Sequence, residues 1–447
     1  MRAYLLKSDT LSQQCLENQG RRGDVIPWQP RTACFLVIYT PVTALAAMVT
    51  VTYLPLFVTI LFHGLPGIWK GRHRLMLCWL VFMQALFPGH KTLAELARRP
   101  PAQVTAWRFR RLLKASYWNV HLLVEWWVQE ALNTLPPPED GTIHLVGDGS
   151  DKPKRGRQNP LAQNGRKSEH HPWFFGIRFA LLIVNWDVYR FPVALRLIRP
   201  KIHPEYQPGN ALFREMVGRF VAPPWAKRVI VEGDAAYGSQ ENIKMVQQRD
   251  AQDTARRWGF VFALARTWKT VEDKAIKDWV THLPRKYYMR IRVPRLPGSK
   301  GCKTFWVYST RLCLRHIGDV TVVLSKRGRN VGPKHTKILL TNLDEWIPRQ
   351  VVSAYQRRGP VEQINRELKT DLGLGEHQVS GQEGRIEKSF GIAVLAYLLL
   401  LRACHQEIRP GMSWSVSQLQ HAFRLRVITN QVEHNVKTRL QKVRKVA

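Results

Sequence analysis

One short stretch concentrates side chains able to do chemistry: Tyr355, Arg358, Glu362 and Lys369 lie within YQRRGPVEQINRELK. On an α-helix, Arg358, Glu362 and Lys369 fall about 60°, 20° and 40° from Tyr355, all to one side. One face then carries a carboxylate between two cations, beside a phenol. Val361, Ile364 and Leu368 form the apolar stripe that would seat such a helix on a core. A carboxylate flanked by cations suits a site that holds divalent metal and phosphate side by side. On an arbitrary helix the same residues would be a solvated face with i,i+3 and i,i+4 ion pairs. Gly359-Pro360 interrupts the stretch, so the helix is expected to start near Pro360 or to kink there.

Two more acids stand where strands would deliver them. Ile143 to Val146 reads as a short apolar strand running into GDGS, which puts Asp148 directly after it. Arg228 to Glu232 reads as a buried strand that delivers GDAAYGS and therefore Asp234. A carboxylate beside glycine leaves a ligand room to approach the backbone, although an Asp-Gly turn is the plainer meaning of the first motif. Two strand ends and a helix can bring three carboxylates from separate elements to one two-metal site.

The pattern Tyr-x2-Arg-x3-Glu-x6-Lys, preceded by GDGSDKPKRG and GDAAYGS, resembles the DDE transposases of bacterial insertion sequences, in the IS-four branch. The resemblance runs from about residue 70 to about residue 405. It implies an α/β fold: a ribonuclease-H-like mixed sheet flanked by helices, with a β-rich insertion and an N-terminal helical domain. It implies that Asp148, Asp234 and Glu362 bind two Mg²⁺ ions, with Mn²⁺ as substitute. Tyr355, Arg358, Lys369, Lys154, Arg155 and Tyr237 would contact DNA, arginine offering the fork that phosphate geometry suits. The implied reaction is cleavage at terminal inverted repeats followed by strand transfer, in a synaptic complex of at least two protomers. The implied location is the bacterial cytoplasm, at the nucleoid.

Charge points to a polyanion independently of any motif. Lys and Arg number 68 against 33 Asp and Glu, a formal +35 over 447 residues. Nucleic acid is the usual partner of such a surplus, and anionic membrane is the competitor. Hydrophobic content of 45% suits a folded chain. Six scattered cysteines exclude a disulfide framework, and Cys313 with His316 lacks a second pair for zinc, so a reducing cytosol is expected. GSKGCKT lacks the order of a phosphate-binding loop.

Along the chain, residues 1–70 are dominated by the uncharged run Ala33 to Phe62. Its length makes it a transmembrane candidate, whereas Pro41, Pro55 and its threonines favour a buried segment. Residues 71–135 read as a helical DNA-binding region, with Thr92 and Glu95 as a capping box. Arg98, Arg99, Arg108, Arg110, Arg111 and Lys114 form its basic face, suited to duplex DNA or simply to solvent. Residues 139–258 are assigned to the first part of the catalytic core, 259–336 to the β-rich insertion and 337–410 to the second part. Trp268 and Trp306 in the insertion could stack on an extruded base, although packing is the plainer role. Glu387 to Glu407 reads as a buried apolar helix, and 411–447 as a basic tail. A DNA-binding relative that no longer cuts, a membrane-anchored basic protein and a nuclease indifferent to element ends are the rival readings.

Overall fold

Apolar runs between Thr142 and Thr341 build ten strands that join in one sheet. They are β1 (Thr142–Pro153), β2 (Ala162–Gly165), β3 (Phe174–Trp186), β4 (Tyr189–Ile198), β5 (Arg228–Gly233), β6 (Arg257–Ala263), β7 (Met289–Pro294), β8 (Cys302–Leu314), β9 (Gly318–Lys326) and β10 (Lys337–Thr341). Twelve α-helices accompany them among the described residues: α1 (Leu56–Leu61), α2 (Gly71–Leu86), α3 (Leu93–Ala97), α4 (Ala106–Lys114), α5 (Val120–Thr134), α6 (Gly209–Arg219), α7 (Gln240–Gln252), α8 (Ile276–His282), α9 (Pro348–Gln356), α10 (Gly359–Thr370), α11 (Glu383–Cys404) and α12 (Val416–Val446). The structure, a computed structural model, describes residues 54–63, 71–89, 91–98, 104–115, 117–154, 159–165, 173–296, 300–379, 381–409 and 414–446. Most of Ala33 to Phe62, together with Arg99 and Arg155, lies outside those residues.

The sheet runs β2-β3-β1-β5-β6-β10-β9-β8-β7, with β4 sharing with β2 the side of β3 that faces away from β1. Strand β3 is antiparallel to both β4 and β1, whereas β1, β5 and β6 are parallel. This mixed sheet, with helices against it, is consistent with a ribonuclease-H-like arrangement. Its parallel centre needs cover on both faces, which is why β5 and β6 read as nearly unbroken apolar runs and are buried from Val229 to Gly233 and from Trp258 to Ala263. Strands β7 to β9 lie between β6 and β10 in sequence, and β10 pairs antiparallel with both β6 and β9.

Helix α11 explains the apolar run of the C-terminal half. It is buried from Phe390 to Leu401 without a break, packed against α2, α5, α12 and β4, so it has no polar face to show. At Gly391 a Cβ would overlap the Val120 side chain, and glycine is what lets α5 approach α11 this closely. No helix among the described residues is long and apolar enough to cross a membrane. Thr92 caps α3 by accepting from the Glu95 amide at 3.1 Å, as its spacing predicts. The basic tail is a helix: α12 anchors on the core through Val416, Leu419, Phe423 and Val427 and is exposed from Val432 to Lys437.

Candidate active site

Strand β1 outruns its parallel neighbour. The β1–β5 ladder ends at Val146 opposite Glu232, but β1 continues to Pro153 along β3, with Asp148 opposite Leu181. The strand end expected at Val146 is therefore the end of the parallel ladder, not of the strand. Asp148 stands beside the gap that opens where β5 stops, and Asp234 follows the last residue of β5 into the same gap. Two carboxylates distant in sequence converge for that reason.

A helix closes the gap from above. The break expected at Gly359-Pro360 falls just before it, with α9 ending at Gln356 and Arg358 serving as the N-cap of α10. Pro360 sits in the first turn of α10, where a missing amide hydrogen costs nothing. Val361, Ile364 and Leu368 are buried as their spacing predicts. That seating aims one row of side chains at β1. Arg358 Nη2 lies 3.4 Å from Asp148 Oδ1 and 3.2 Å from Asp234 Oδ2. Asn365 Nδ2 donates to Asp148 Oδ2 at 2.9 Å, and Lys369 Nζ donates to Ser150 Oγ at 2.6 Å. Steps of seven and four residues keep these three on one face.

Burial raises the Asp148 carboxyl above its usual range, Arg358 pulls it back, and Asp234 pushes it further up. The neighbouring cleft, open and about 430 Å³ in volume, is lined by both aspartates with Ser150, Arg178, Asn210 and Tyr237. Tyr237 itself is buried against Phe213, and its hydroxyl lies over Gly149. Burial first, and the two aspartates second, hold that phenol protonated well above its normal range. Beneath Asp234, His144 on β1 hydrogen bonds to Glu232 on β5. Burial raises the Glu232 carboxyl and lowers the His144 imidazole, which favours a neutral pair.

The remaining residues singled out in the sequence are placed differently. Glu362 is exposed and lines a second groove on the β8–β10 side, with Tyr355 and Arg358. Arg358 thus touches both aspartates and also lines the groove that holds Glu362. Among the described residues no three acids, histidines or cysteines cluster as a metal site. Lys154 Nζ donates to the Gly375 carbonyl, and burial lowers its pKa. Arg110 and Arg111 are exposed on α4, and the Arg111 guanidinium lies over Trp107. Asn365, Arg178 and Asn210 join the site without having been singled out by the sequence. For Asn365 a signal exists, three residues past Glu362 and four before Lys369.

The donor chemistry of Asp148 and Asp234 fits a hard divalent cation. Their carboxylates already share one cationic group, and the buried Asn365 Oδ1 beside them has no hydrogen-bond partner. A buried amide oxygen left unsatisfied on a side chain bonded to Asp148 is an added donor of the type magnesium and manganese take.

Residues 202–399 match the family model described as Transposase DDE domain. The match supports a DDE transposase, and it contains Asp234, Glu362 and all of α9 and α10, while Asp148 precedes it. No curated protein matches the chain. Among solved structures the chain is similar to the NurA nuclease from Sulfolobus solfataricus, at 8% identity over 70% of this chain and 92% of that one, with a TM-score of 0.22. A likeness that loose carries no argument about fold or chemistry.

Proposed function

We propose that the protein is a DDE transposase that binds the terminal inverted repeats of an insertion sequence, cleaves DNA phosphodiester bonds there and transfers the strands to a target. The observation that carries this reading is the convergence of Asp148 and Asp234 on Arg358 at the end of the β1–β5 ladder. Two divalent ions bound at such a site, magnesium or manganese, would activate the nucleophile and offset charge on the leaving oxygen of an in-line displacement.

Asp148 and Asp234 hold the cations in this reading, and Glu362, one turn past Arg358, completes the set. Arg358 then turns its fork from carboxylates to a phosphate, a ligand it binds in two places at once. Lys369, tied to Ser150 on β1, and Tyr355 hold neighbouring phosphates. The formal +35 charge draws DNA to this surface. Two protomers would hold the two element ends in a synaptic complex.

The test uses a supercoiled plasmid carrying the coding gene with its flanking DNA. Mg²⁺-dependent nicking at the flanks is expected from the wild type. Asp148→Asn, Asp234→Asn and Glu362→Gln should each abolish it while gel-shift binding of the flanks persists. Cleavage that survives Asp234→Asn overturns the reading, and binding without any cleavage by the wild type marks a relative that no longer cuts.

A further inference from the structure

The back of α10 carries a carboxylate that the proposed chemistry does not use. Glu367 is buried, about 180° around the helix from the row of Arg358, Asn365 and Lys369 that meets β1. Its Oε1 accepts from the Val416 amide at 3.2 Å and from Gln363 Nε2 at 2.8 Å, with Arg190 Nη2 of β4 3.9 Å away. Val416 is the first residue of α12. Ser415 and Gln418 cap that helix by each accepting from the other's amide, so Glu367 takes an amide that the cap leaves over. The positive end of the α12 dipole favours an acid there.

The partners of Glu367 are themselves fixed. The Arg190 guanidinium lies 4.7 Å from the Trp414 ring centroid and donates to the Trp414 carbonyl. The Trp414 indole donates to the Val188 carbonyl at 2.7 Å, and the Tyr397 hydroxyl of α11 donates to the Arg190 carbonyl at 3.2 Å. One turn along α12, Gln420 donates to the carbonyl of Asp371, the C-cap of α10, at 3.2 Å. Helix α10 is therefore tied to α12 at two points on the side away from the cleft.

Burying a carboxylate is costly: burial raises the Glu367 carboxyl above its usual range, and Arg190 pulls it back. An apolar side chain of similar volume would fill the space at lower cost. What it would lack is a directed bond, the kind of contact that fixes how far a helix is turned about its axis. Side chains reach about 5–6 Å from a helix axis, so a turn of about 10° moves their ends by about 1 Å. A shift of that size would break the 2.9 Å bond from Asn365 to Asp148 and the 2.6 Å bond from Lys369 to Ser150.

We propose that Glu367 is a positioning residue: bound from behind to the N-terminus of α12, it sets the rotation of α10 and so aims Arg358, Asn365 and Lys369 at β1. The catalytic meaning of that aim rests on the transposase reading. The aim itself rests on geometry.

Competitive labelling of the full chain with acetic anhydride, read by mass spectrometry, tests the aim without DNA or metal. Lys369 is the reporter, because its Nζ donates to Ser150. Lys388, buried in α11 with its Nζ on the Ala115 carbonyl, reports general loosening. Glu367→Met keeps the length and helix propensity of the side chain but removes the acceptor. Lys369 should then label about tenfold faster relative to Lys388, the effect of losing a hydrogen bond to a charged group. Glu367→Gln keeps an oxygen for the Val416 amide and should stay within about threefold of wild type. Val416→Pro deletes the donor at a first-turn position that tolerates proline, and it should match Glu367→Met with the carboxylate still in place. Unchanged Lys369 labelling in Glu367→Met or Val416→Pro, or a rise only in step with Lys388, overturns the proposal, as does Glu367→Gln labelling as fast as Glu367→Met. In the plasmid assay Glu367→Met should nick about 10²-fold more slowly with flank binding unchanged, and an undiminished rate overturns the proposal. A wild type that nicks nothing strikes the transposase reading instead, and the labelling alone then decides the role of Glu367.

Discussion

Arg358 donates toward Asp234 at 3.2 Å while keeping Asp148 within 3.4 Å, so a side chain's positive charge sits where the two carboxylates converge. An incoming cation must compete with it. At about 4 Å two unit charges interact by roughly 1–4 kcal/mol, depending on how wet the site is. Arg358→Gln should therefore raise the affinity of the DNA-free protein for Mn²⁺ by about tenfold or more, read by calorimetry. Unchanged or weaker binding would show that the arginine does not hold the site against metal.

Asn365 acts on Asp148 from the other side. Its amide donates to Oδ2, and a bond to the ionised form lowers a carboxyl pKa. Asn365→Leu removes that bond and should raise the Asp148 pKa further. Because metal binds the ionised carboxylate, the curve of Mn²⁺ binding against pH should move to higher pH, with the melting temperature nearly unchanged. A curve that stays in place would confine Asn365 to packing.

Acid sensitivity should arise away from the cleft as well. His377 is fully buried, with Nε2 2.9 Å from Gln84 Oε1, and burial lowers its pKa to about 3. His121 is lowered to about 4, by burial and then by Arg196. Below its ordinary pKa of about 6.5 the unfolded chain takes up these protons while the folded chain does not. Stability should thus fall from about pH 6.5 downward and level off only near each folded pKa. His377→Gln, which can still bond to Gln84, should flatten the dependence of melting temperature on pH between 4 and 6.5 relative to wild type.

One substitution should have opposite signs at two glycines. At Gly238, in the loop after Asp234, a Cβ would meet the Ala263 carbonyl oxygen, which cannot move without shifting β6. Gly238→Ala should cost about 1–3 kcal/mol. Gly218 is exposed in α6 with nothing within 4 Å of its Cβ position, so Gly218→Ala should stabilise by about 0.5–1 kcal/mol. Thermal melts of the two variants check both signs.

What the sequence makes legible is local. The apolar run from Arg228 to Glu232 announces β5, and Asp234 just beyond it lands in the site. The stripe of Val361, Ile364 and Leu368 announces which face of α10 is buried. What depends on distant partners is not legible. Asp148 lies inside β1 because β3 goes on pairing after β5 has stopped, and no residue near Asp148 records that. The break expected at Gly359-Pro360 separates α9, which carries Tyr355, from α10, which carries Glu362 and Lys369, but how Arg358 at the N-cap would reach both aspartates is not legible from spacing. Asn365 is easy to pass over by its type, since asparagine in a helix ordinarily means solvent, although its spacing from Glu362 and Lys369 puts it on their face. The length of α12 is easily missed although Val432, Val436 and Leu440 recur at helical spacing, because the dense lysines and arginines around them read as a tail and the three side chains stay exposed.

Hydrogen bonds run without interruption from β5 through β6 to β10 and on to β9 and β8. The strands that contribute to the two clefts are therefore members of one continuous sheet. The strand pairing gives no hinge within the sheet between Asp234, just after β5, and strands β8 to β10. A substrate that reaches Asp234 therefore meets a surface whose strands continue, without a break in pairing, from β5 to β8.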